Sequence, residues 1–202
     1  MLVAINNQNP QMRLICKAVD VLRGGGIVIY PTDTVYGMGC DLFNKKGIER
    51  IYEIKRRDRK QPLSFICSDL KDISRYAQVS DGAYKIMKRL LPGPFTFILN
   101  ASRSVPKIIL PKRQTTGIRV PDNRICQALV GEMGSPIIST SVKDGDGELL
   151  SDPRIIEELY GKRVDMIIDG GIIAATPSSV ISLLDEGVEV IRIGKGDVSA
   201  VL

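Results

Sequence analysis

The sequence contains no histidine among its 202 residues. This absence excludes a Ser-His or Cys-His catalytic pair and any metal site with histidine ligands. It also removes the side chain that most often acts as a general base near neutral pH. Any chemistry in this chain must therefore rely on positioning, charge and backbone donors, or on carboxylates and lysines.

Long apolar runs and paired cysteines are also missing. No apolar stretch approaches the roughly 20 residues that a bilayer span needs, and residues 1–11 lack the basic start and apolar run of a signal peptide. The four cysteines are scattered without a C-x-x-C pair, which argues against a zinc site or a disulfide framework. We expect a cytoplasmic protein that does not contact a membrane and that folds as one domain over residues 1–202.

Acidic residues are absent between Gly82 and Pro121, although the chain as a whole has 23 acidic and 28 basic residues and a net charge of +5. The same stretch holds basic residues at Lys85, Lys88, Arg89, Arg103, Lys107, Lys112, Arg113 and Arg119. This asymmetry indicates an anionic partner, either nucleotide phosphates or an RNA backbone. The alternative is a basic face that contacts only solvent.

Segments with strand and helix periodicity follow one another over most of the chain, and the last two strands are typical of a hairpin. We expect a single α/β domain with a twisted, open sheet of mixed parallel and antiparallel strands. Helices are predicted at 10–24, 44–56, 69–76 (or from 68), 81–91, 105–110, 123–131 and 152–160. Strands are predicted at 26–30, 63–67, 95–99, 116–120, 136–141, 165–169, 179–184 and 188–193.

The segment Tyr30–Asp41, Y-P-T-D-T-V-Y-G-M-G-C-D, follows the first predicted strand. Pro31 cannot donate to a sheet, so the strand should end there. Gly37 and Gly39 permit unusual backbone conformations or the close approach of a ligand. Polar groups at the end of a buried strand are a common ligand site in α/β proteins. An ordinary strand-to-helix loop is the alternative.

Four further groups of residues are candidates for an anion site. Residues 55–60 place five cations before a strand, with a solvated helix end as the alternative. Arg119 lies in an apolar strand and should face a cleft or a carboxylate, unless it is an edge-strand arginine that reaches water. Hydroxyl groups at 139–141 follow another strand, and residues 176–179 lie upstream of Arg192. No cluster has the spacing of a protein metal site.

In this order, the motifs resemble the YrdC-like family of threonylcarbamoyl-AMP synthases, and within it the YciO branch. The set is Y-P-T-D-T-V-Y-G at 30–37, K-x-R at 55–57 with Pro62-Leu63, L-P-G-P-F-T at 91–96, R-V-P at 119–121, S-T-S at 139–141 and D-G-G at 169–171. The resemblance extends from the first helix to about Gly196 and implies the YrdC-like, RibB-like α/β fold.

The resemblance implies a nucleotidyltransferase-like enzyme that joins L-threonine, bicarbonate and ATP into threonylcarbamoyl-AMP and pyrophosphate, for modification of an adenosine in tRNA. Mg²⁺ would accompany ATP, and catalysis would depend on positioning and charge neutralisation. By motif position, the threonine-binding residues would be Thr34, Arg119 and Ser178. The ATP-binding residues would be Lys55, Arg57, Gln61, Ser141 and Arg192, with Lys55 and Arg57 as the catalytic cations at the phosphates.

Two positions depart from the synthase pattern. Lys143 stands where synthases usually have the Asn of an S-x-N motif, and Ile66 stands where they usually have a histidine near threonine. Both changes resemble the YciO branch, whereas Lys55 and Arg57 keep the synthase form. A second hypothesis is a non-catalytic protein that binds double-stranded RNA or tRNA through the same basic cavity. Because the chain ends at Leu202, we expect no C-terminal extension domain.

Overall fold

The computed structural model describes residues 1–56, 63–110, 114–184 and 187–201. The α-helices in these ranges are α1 (Met12–Arg23), α2 (Lys45–Lys55), α3 (Leu70–Tyr76), α4 (Asp81–Leu90), α5 (Arg124–Met133) and α6 (Pro153–Tyr160), and a 3₁₀ turn follows at Val198–Ala200. Side chains accept hydrogen bonds from first-turn backbone N–H groups at the start of α2 to α6, at Asn44, Asp69, Ser80, Asn123 and Asp152. No described helix combines the length and hydrophobicity of a membrane span.

The strands of the described chain form one ten-stranded sheet. They are β1 (Leu2–Ala4), β2 (Val28–Tyr30), β3 (Gly37–Asp41), β4 (Ser64–Ile66), β5 (Phe95–Asn100), β6 (Thr115–Arg119), β7 (Ile137–Ser141), β8 (Met166–Asp169), β9 (Ser179–Ser182) and β10 (Glu189–Arg192). Their order is β1-β8-β2-β3-β7-β4-β6-β5-β9-β10. The pairs β1/β8, β2/β8, β4/β6 and β5/β9 are parallel and the others are antiparallel. The predicted α/β fold with a mixed sheet is confirmed.

Helices cover the two faces of this sheet unequally. One face packs alternate strand residues, such as Phe65, Phe97 and Ile118, against α2, α3, α4 and α6 in a large apolar core. The other face forms a smaller core with α1 and α5, to which Ile66 and Ile137 contribute. In the described part of the chain, β5, β6 and β9 contribute no residue to this smaller core. None of the described helices therefore covers the second face over those strands.

Two sequence predictions of local structure are corrected, and one strand was not predicted. Residues 37–41, expected as part of a loop, form β3 inside the sheet. Met38 and Cys40 enter the core with the two-residue period of a strand, but the two glycines between and beside them make that period hard to recognise in the sequence. The edge strand β1 was not predicted, because three residues are too few to show a period. Residues 105–110, predicted as a helix, form turns with i→i+3 hydrogen bonds. The other predicted elements agree with the structure within two residues at each end.

Candidate functional site

A cavity of about 350 Å³ lies on the part of the sheet face that α1 and α5 leave uncovered. Strands β4, β5, β6, β7 and β9 all contribute to its wall. Two of the wall residues are arginines, Arg119 and Arg192. Most of the others carry hydroxyl groups, at Ser64, Thr96, Thr115, Thr116, Ser139, Thr140, Ser141 and Ser178. Guanidinium and hydroxyl groups both donate hydrogen bonds, so the cavity suits an anionic ligand.

Strand alternation explains why this face is polar and open. In β5, Phe95, Phe97 and Leu99 enter the large core, whereas Thr96 lines the cavity. On the neighbouring strand, a Cβ at Gly117 would lie 3.1 Å from Ser64 Oγ and 3.3 Å from Thr96 Cγ2. The small residues on this face therefore leave a volume that larger side chains would fill.

Arg119, the last residue of β6, is held by the loop that follows β2. Its Nη1 donates to Thr34 Oγ1 at 2.9 Å, and its Nη2 donates to Asp33 Oδ1 at 2.6 Å. The side chains of Arg119 and Asp33 are each only 9% exposed, so the ion pair lies largely out of water, where electrostatic interactions are stronger. The sequence-based expectation that Arg119 faces a cleft or a carboxylate is confirmed, because it faces both.

Thr34 belongs to an ordered pair of hydroxyl groups behind Arg119. Thr32 Oγ1 donates to the Val35 carbonyl oxygen at 2.6 Å and accepts from the Thr34 and Val35 backbone N–H groups. The Thr32 and Thr34 hydroxyl oxygens are 3.1 Å apart. Thr34 is buried and reaches the cavity through Arg119.

Arg192, on β10, is held by Ser178. Its Nε and Nη2 donate to the Ser178 carbonyl oxygen at 3.1 and 2.8 Å, and the Ser178 hydroxyl oxygen is 2.8 Å from that of Thr96. Partial burial lowers the pKa of Arg192, and the positive charge of Arg119 lowers that pKa further. Arg192 nevertheless stays charged at neutral pH. Among the described residues no carboxylate pairs with Arg192, so an anion in the cavity would offset the repulsion between the two arginines.

Four of the site residues predicted from the sequence meet at this cavity, namely Arg119, Ser141, Ser178 and Arg192. Sequence reasoning missed Asp33 as the partner of Arg119. A signal was present, since a carboxylate beside Thr34 in the motif and a strand arginine that needs a partner are complementary. The roles of these residues toward a ligand stay predictions.

The other predicted positions lie elsewhere or are not described. Lys55 is the half-buried last residue of α2 and lies outside the described wall of the cavity. Arg57 and Gln61 lie outside the described residues. Ile66 lines the cavity and pairs with Arg119 across β4 and β6, whereas Lys143 is exposed in the loop after β7.

The sequence is similar to proteins of one family along almost its whole length. A family profile, Sua5_yciO_yrdC, described as telomere recombination, matches residues 20–194. The uncharacterized protein YciO of Escherichia coli K12 is 42% identical over 200 residues, which is 98% of this chain and 97% of that protein. A putative threonylcarbamoyl-AMP synthase of Methanocaldococcus jannaschii is 36% identical and covers 86% of this chain and 82% of its own length.

Solved structures show the same relationship. The crystal structure of E. coli YciO matches with a TM-score of 0.96 at 41% identity, over 100% of this chain and 99% of that one. P. abyssi Sua5, solved in complex with L-threonine, matches with a TM-score of 0.90 at 26% identity, over 96% of this chain but 57% of the Sua5 chain. In sequence and in fold alike, this chain belongs to the Sua5/YciO/YrdC family.

Proposed function

We propose that this protein forms threonylcarbamoyl-AMP from L-threonine, bicarbonate and ATP, or catalyses the same reaction with another amino acid. The observation that carries the proposal is a pair of guanidinium groups, Arg119 and Arg192, in one hydroxyl-lined cavity. Two relatives support it. A threonylcarbamoyl-AMP synthase of Coxiella burnetii is 33% identical over 77% of this chain, and Sua5 was solved with L-threonine.

The reaction needs positioning and charge neutralisation more than acid–base chemistry. The ammonium group of threonine first loses one proton to water, and the resulting amine and bicarbonate then give a carbamate and water. A carbamate oxygen then bonds to the α-phosphorus of ATP, and the bond from that phosphorus to the β-phosphate oxygen breaks to release pyrophosphate. Because the carbamate oxygen is already ionised, no histidine is needed to activate it. Arg119 would hold the amino-acid carboxylate, and Arg192 would offset negative charge at the phosphates.

Mg²⁺ enters this proposal as the ion that ATP carries. The described wall of the cavity contains hydroxyl groups and arginines but no carboxylate, whereas protein sites for Mg²⁺ usually supply one or two carboxylates. The described residues therefore do not fit a resident Mg²⁺, and no step is assigned to the metal.

Ile66 supports a change in amino-acid preference. It is 2% exposed, lines the cavity and is the cross-strand neighbour of Arg119. An isoleucine side chain cannot exchange a hydrogen bond with the threonine hydroxyl group, so a site built with it discriminates hydroxylated from apolar amino acids less strongly. We therefore expect the kcat/KM for threonine to differ less from that for amino acids of similar size, such as valine and serine, than it would with a hydrogen-bonding residue at position 66.

Pyrophosphate release tests the proposal directly. Purified protein is incubated with ATP, Mg²⁺, bicarbonate and one amino acid at a time, and pyrophosphate is measured with a coupled assay. We expect release that requires both bicarbonate and the amino acid. Arg119→Ala should lower kcat/KM by about 100-fold, because it removes a charged hydrogen-bond donor. The matched control is Arg154→Ala, at an exposed position of α6, which should stay within about twofold of wild type. Absence of release with every amino acid would refute the proposal.

RNA binding is the second candidate function, and the exposed basic residues favour a surface other than the cavity for it. Of the described basic residues between Gly82 and Pro121, Arg119 alone lines the cavity. Lys85 and Lys88 are exposed on α4, which packs against the opposite face of the sheet. We expect any salt-sensitive RNA binding to weaken in a Lys85→Glu, Lys88→Glu double variant while pyrophosphate release is retained. If Arg192→Ala weakens RNA binding and the double variant does not, the RNA site lies in the cavity.

A further inference from the structure

The two arginines of the cavity differ in how their charge is balanced. Arg119 is paired with the carboxylate of Asp33 at 2.6 Å. Arg192 bonds only to the uncharged carbonyl and hydroxyl groups of Ser178 among the described residues. The nearby Lys195 is exposed, and its amine donates to the Asp33 carbonyl oxygen, not to the carboxylate. The charge of Arg119 is therefore balanced by a carboxylate, whereas no described carboxylate balances that of Arg192, and Lys195 adds an exposed positive charge on the Asp33 side of the pair.

Asp33 has a carboxylate oxygen that accepts no hydrogen bond from the described residues. Its Oδ1 accepts from Arg119, but its Oδ2 is buried without a hydrogen-bond partner in the described part of the chain. The Nε of Arg119 is left without an acceptor in the same way. Buried polar atoms without partners cost free energy. A ligand that supplies one donor and one acceptor at this place would recover that energy.

The Asp33–Arg119 pair lies where two cavities adjoin. Arg119 lines the 350 Å³ cavity described above. Asp33 lines a second cavity of about 420 Å³, whose charged residues also include Asp122 and Lys195. The ion pair joins the walls of the two cavities, so a small ligand beside Arg119 in the main cavity lies next to the carboxylate that pairs with it, and the Arg192 end is left for a larger ligand.

We infer that Asp33 recognises the ammonium group of the substrate, and that the Asp33–Arg119 pair reserves its end of the cavity for a zwitterionic amino acid. The inference rests on the proposed function and names the group that selects its substrate. An α-amino acid carries an ammonium and a carboxylate on one carbon, which matches a neighbouring carboxylate and guanidinium. A simple anion meets the negative charge of Asp33 and is disfavoured there. Phosphate groups are left to the Arg192 end, where no described carboxylate opposes them.

A binding experiment with three small ligands distinguishes the contribution of the ammonium group from that of the carboxylate. L-threonine carries both groups, 3-hydroxybutyrate lacks the ammonium, and 1-amino-2-propanol lacks the carboxylate. Each is titrated by calorimetry in the presence of a non-hydrolysable ATP analogue. Wild-type protein should bind L-threonine at least about tenfold more tightly than either analogue, because each lost charged hydrogen bond weakens binding by about 10- to 100-fold.

Asp33→Asn is the decisive variant, because its amide oxygen can still accept from Arg119 while the charge is removed. It should weaken L-threonine binding by about 10- to 100-fold and leave 3-hydroxybutyrate binding equal or tighter, so that the preference for the zwitterion disappears. Asp122→Asn is the matched control, because Asp122 lines the second cavity but does not bond to Arg119. It should keep the wild-type preference.

An equal loss for L-threonine and 3-hydroxybutyrate in Asp33→Asn would overturn the inference, since Asp33 would then only position Arg119. Unchanged L-threonine binding in that variant, or a wild-type protein without preference, would also overturn it. If Asp33→Asn does not fold, Asp33→Glu keeps the charge and must keep the preference. Pyrophosphate release separates this inference from the proposed function. Asp33-dependent preference without release would refute the function alone, and release with an unchanged KM for threonine in Asp33→Asn would refute the inference alone.

Discussion

Replacing Gly39 with alanine should strongly destabilise the protein, because the sheet has no room for a methyl group there. Gly39 lies in β3, between β2 and β7. A Cβ at this position would lie 2.4 Å from the Ile138 carbonyl oxygen, 2.7 Å from Ile137 Cγ2 and 3.0 Å from the Tyr30 hydroxyl oxygen. Carbon contacts are normally about 3.5–4.0 Å long. The nearest atom belongs to the backbone of β7 and cannot rotate away, so the strand itself must move.

The size of the effect follows from what β7 holds in place. This strand also pairs with β4, and its Ser139 lines the cavity and accepts a hydrogen bond from Tyr30 at 2.8 Å. Overpacking a core position costs about 1–3 kcal/mol, and a clash with backbone favours the upper end. Each kcal/mol lowers the Tm by about 2–4 °C for a chain of this size. We therefore expect the Tm of Gly39→Ala to fall by about 6–12 °C.

Thermal unfolding followed by circular dichroism measures this change. The control is Gly131→Ala, at an exposed position of α5 where a new Cβ would meet nothing within 4 Å. Alanine is favoured over glycine in a helix by about 1 kcal/mol, so this control should raise the Tm by about 2–4 °C. If Gly39→Ala melts within about 2 °C of wild type, the explanation of Gly39 by close strand approach is refuted.

The thiols, a tyrosine and a helix cap provide further tests. Burial raises the pKa of Cys40 and of Cys126 to about 12, whereas Cys16 is the partly exposed cysteine. Iodoacetamide at about pH 8 should therefore label Cys16 first in the native protein, as read by peptide mass spectrometry, and equal labelling of all thiols would contradict the buried placement. Burial also raises the pKa of Tyr36 from 10.0 to about 12. The folded protein then keeps a proton that the unfolded chain loses, so stability should fall as the pH rises through this window. Urea unfolding should show a smaller fall for Tyr36→Phe, and an identical pH profile would argue against the shift. Asn44 Oδ1 accepts a hydrogen bond of 2.8 Å at the start of α2. Asn44→Ala should lower the free energy of unfolding in urea by about 1 kcal/mol, Asn44→Asp should lower it less, and equal losses would exclude a capping role.

Local signals were enough to predict the helices and most strands. Asn44, Asn123 and Asp152 begin helices, as their capping chemistry predicts. The strand β3 was missed for an equally local reason. Glycines at alternate positions remove the side chains that would show a strand period, and Gly39 is required for close packing, not for a positive φ. The two glycines therefore predict a loop in the sequence, although they lie in the middle of the sheet.

Part of the candidate site was also predictable. An arginine in an apolar strand needs a partner or a cleft, and Arg119 has both. Its partner Asp33 is 86 residues away along the chain, and the two meet only because β2 and β6 lie in one sheet. The opposite placement of Lys85, behind the sheet, could not be seen either. The face of the protein on which a charged residue lies is decided only when the helices pack.

The residue types available for chemistry, without histidine, and the individual helices and strands follow from the sequence, because capping groups and hydrophobic periods act over a few neighbouring residues. The order of the strands, and with it the set of residues that share a cavity, depends on long-range packing. Strand alternation separates two faces locally, whereas burial of those faces depends on where all the helices pack. The sheet face that α1 and α5 leave uncovered, with Arg119 balanced by Asp33 and Arg192 without a described carboxylate partner, is a product of that packing.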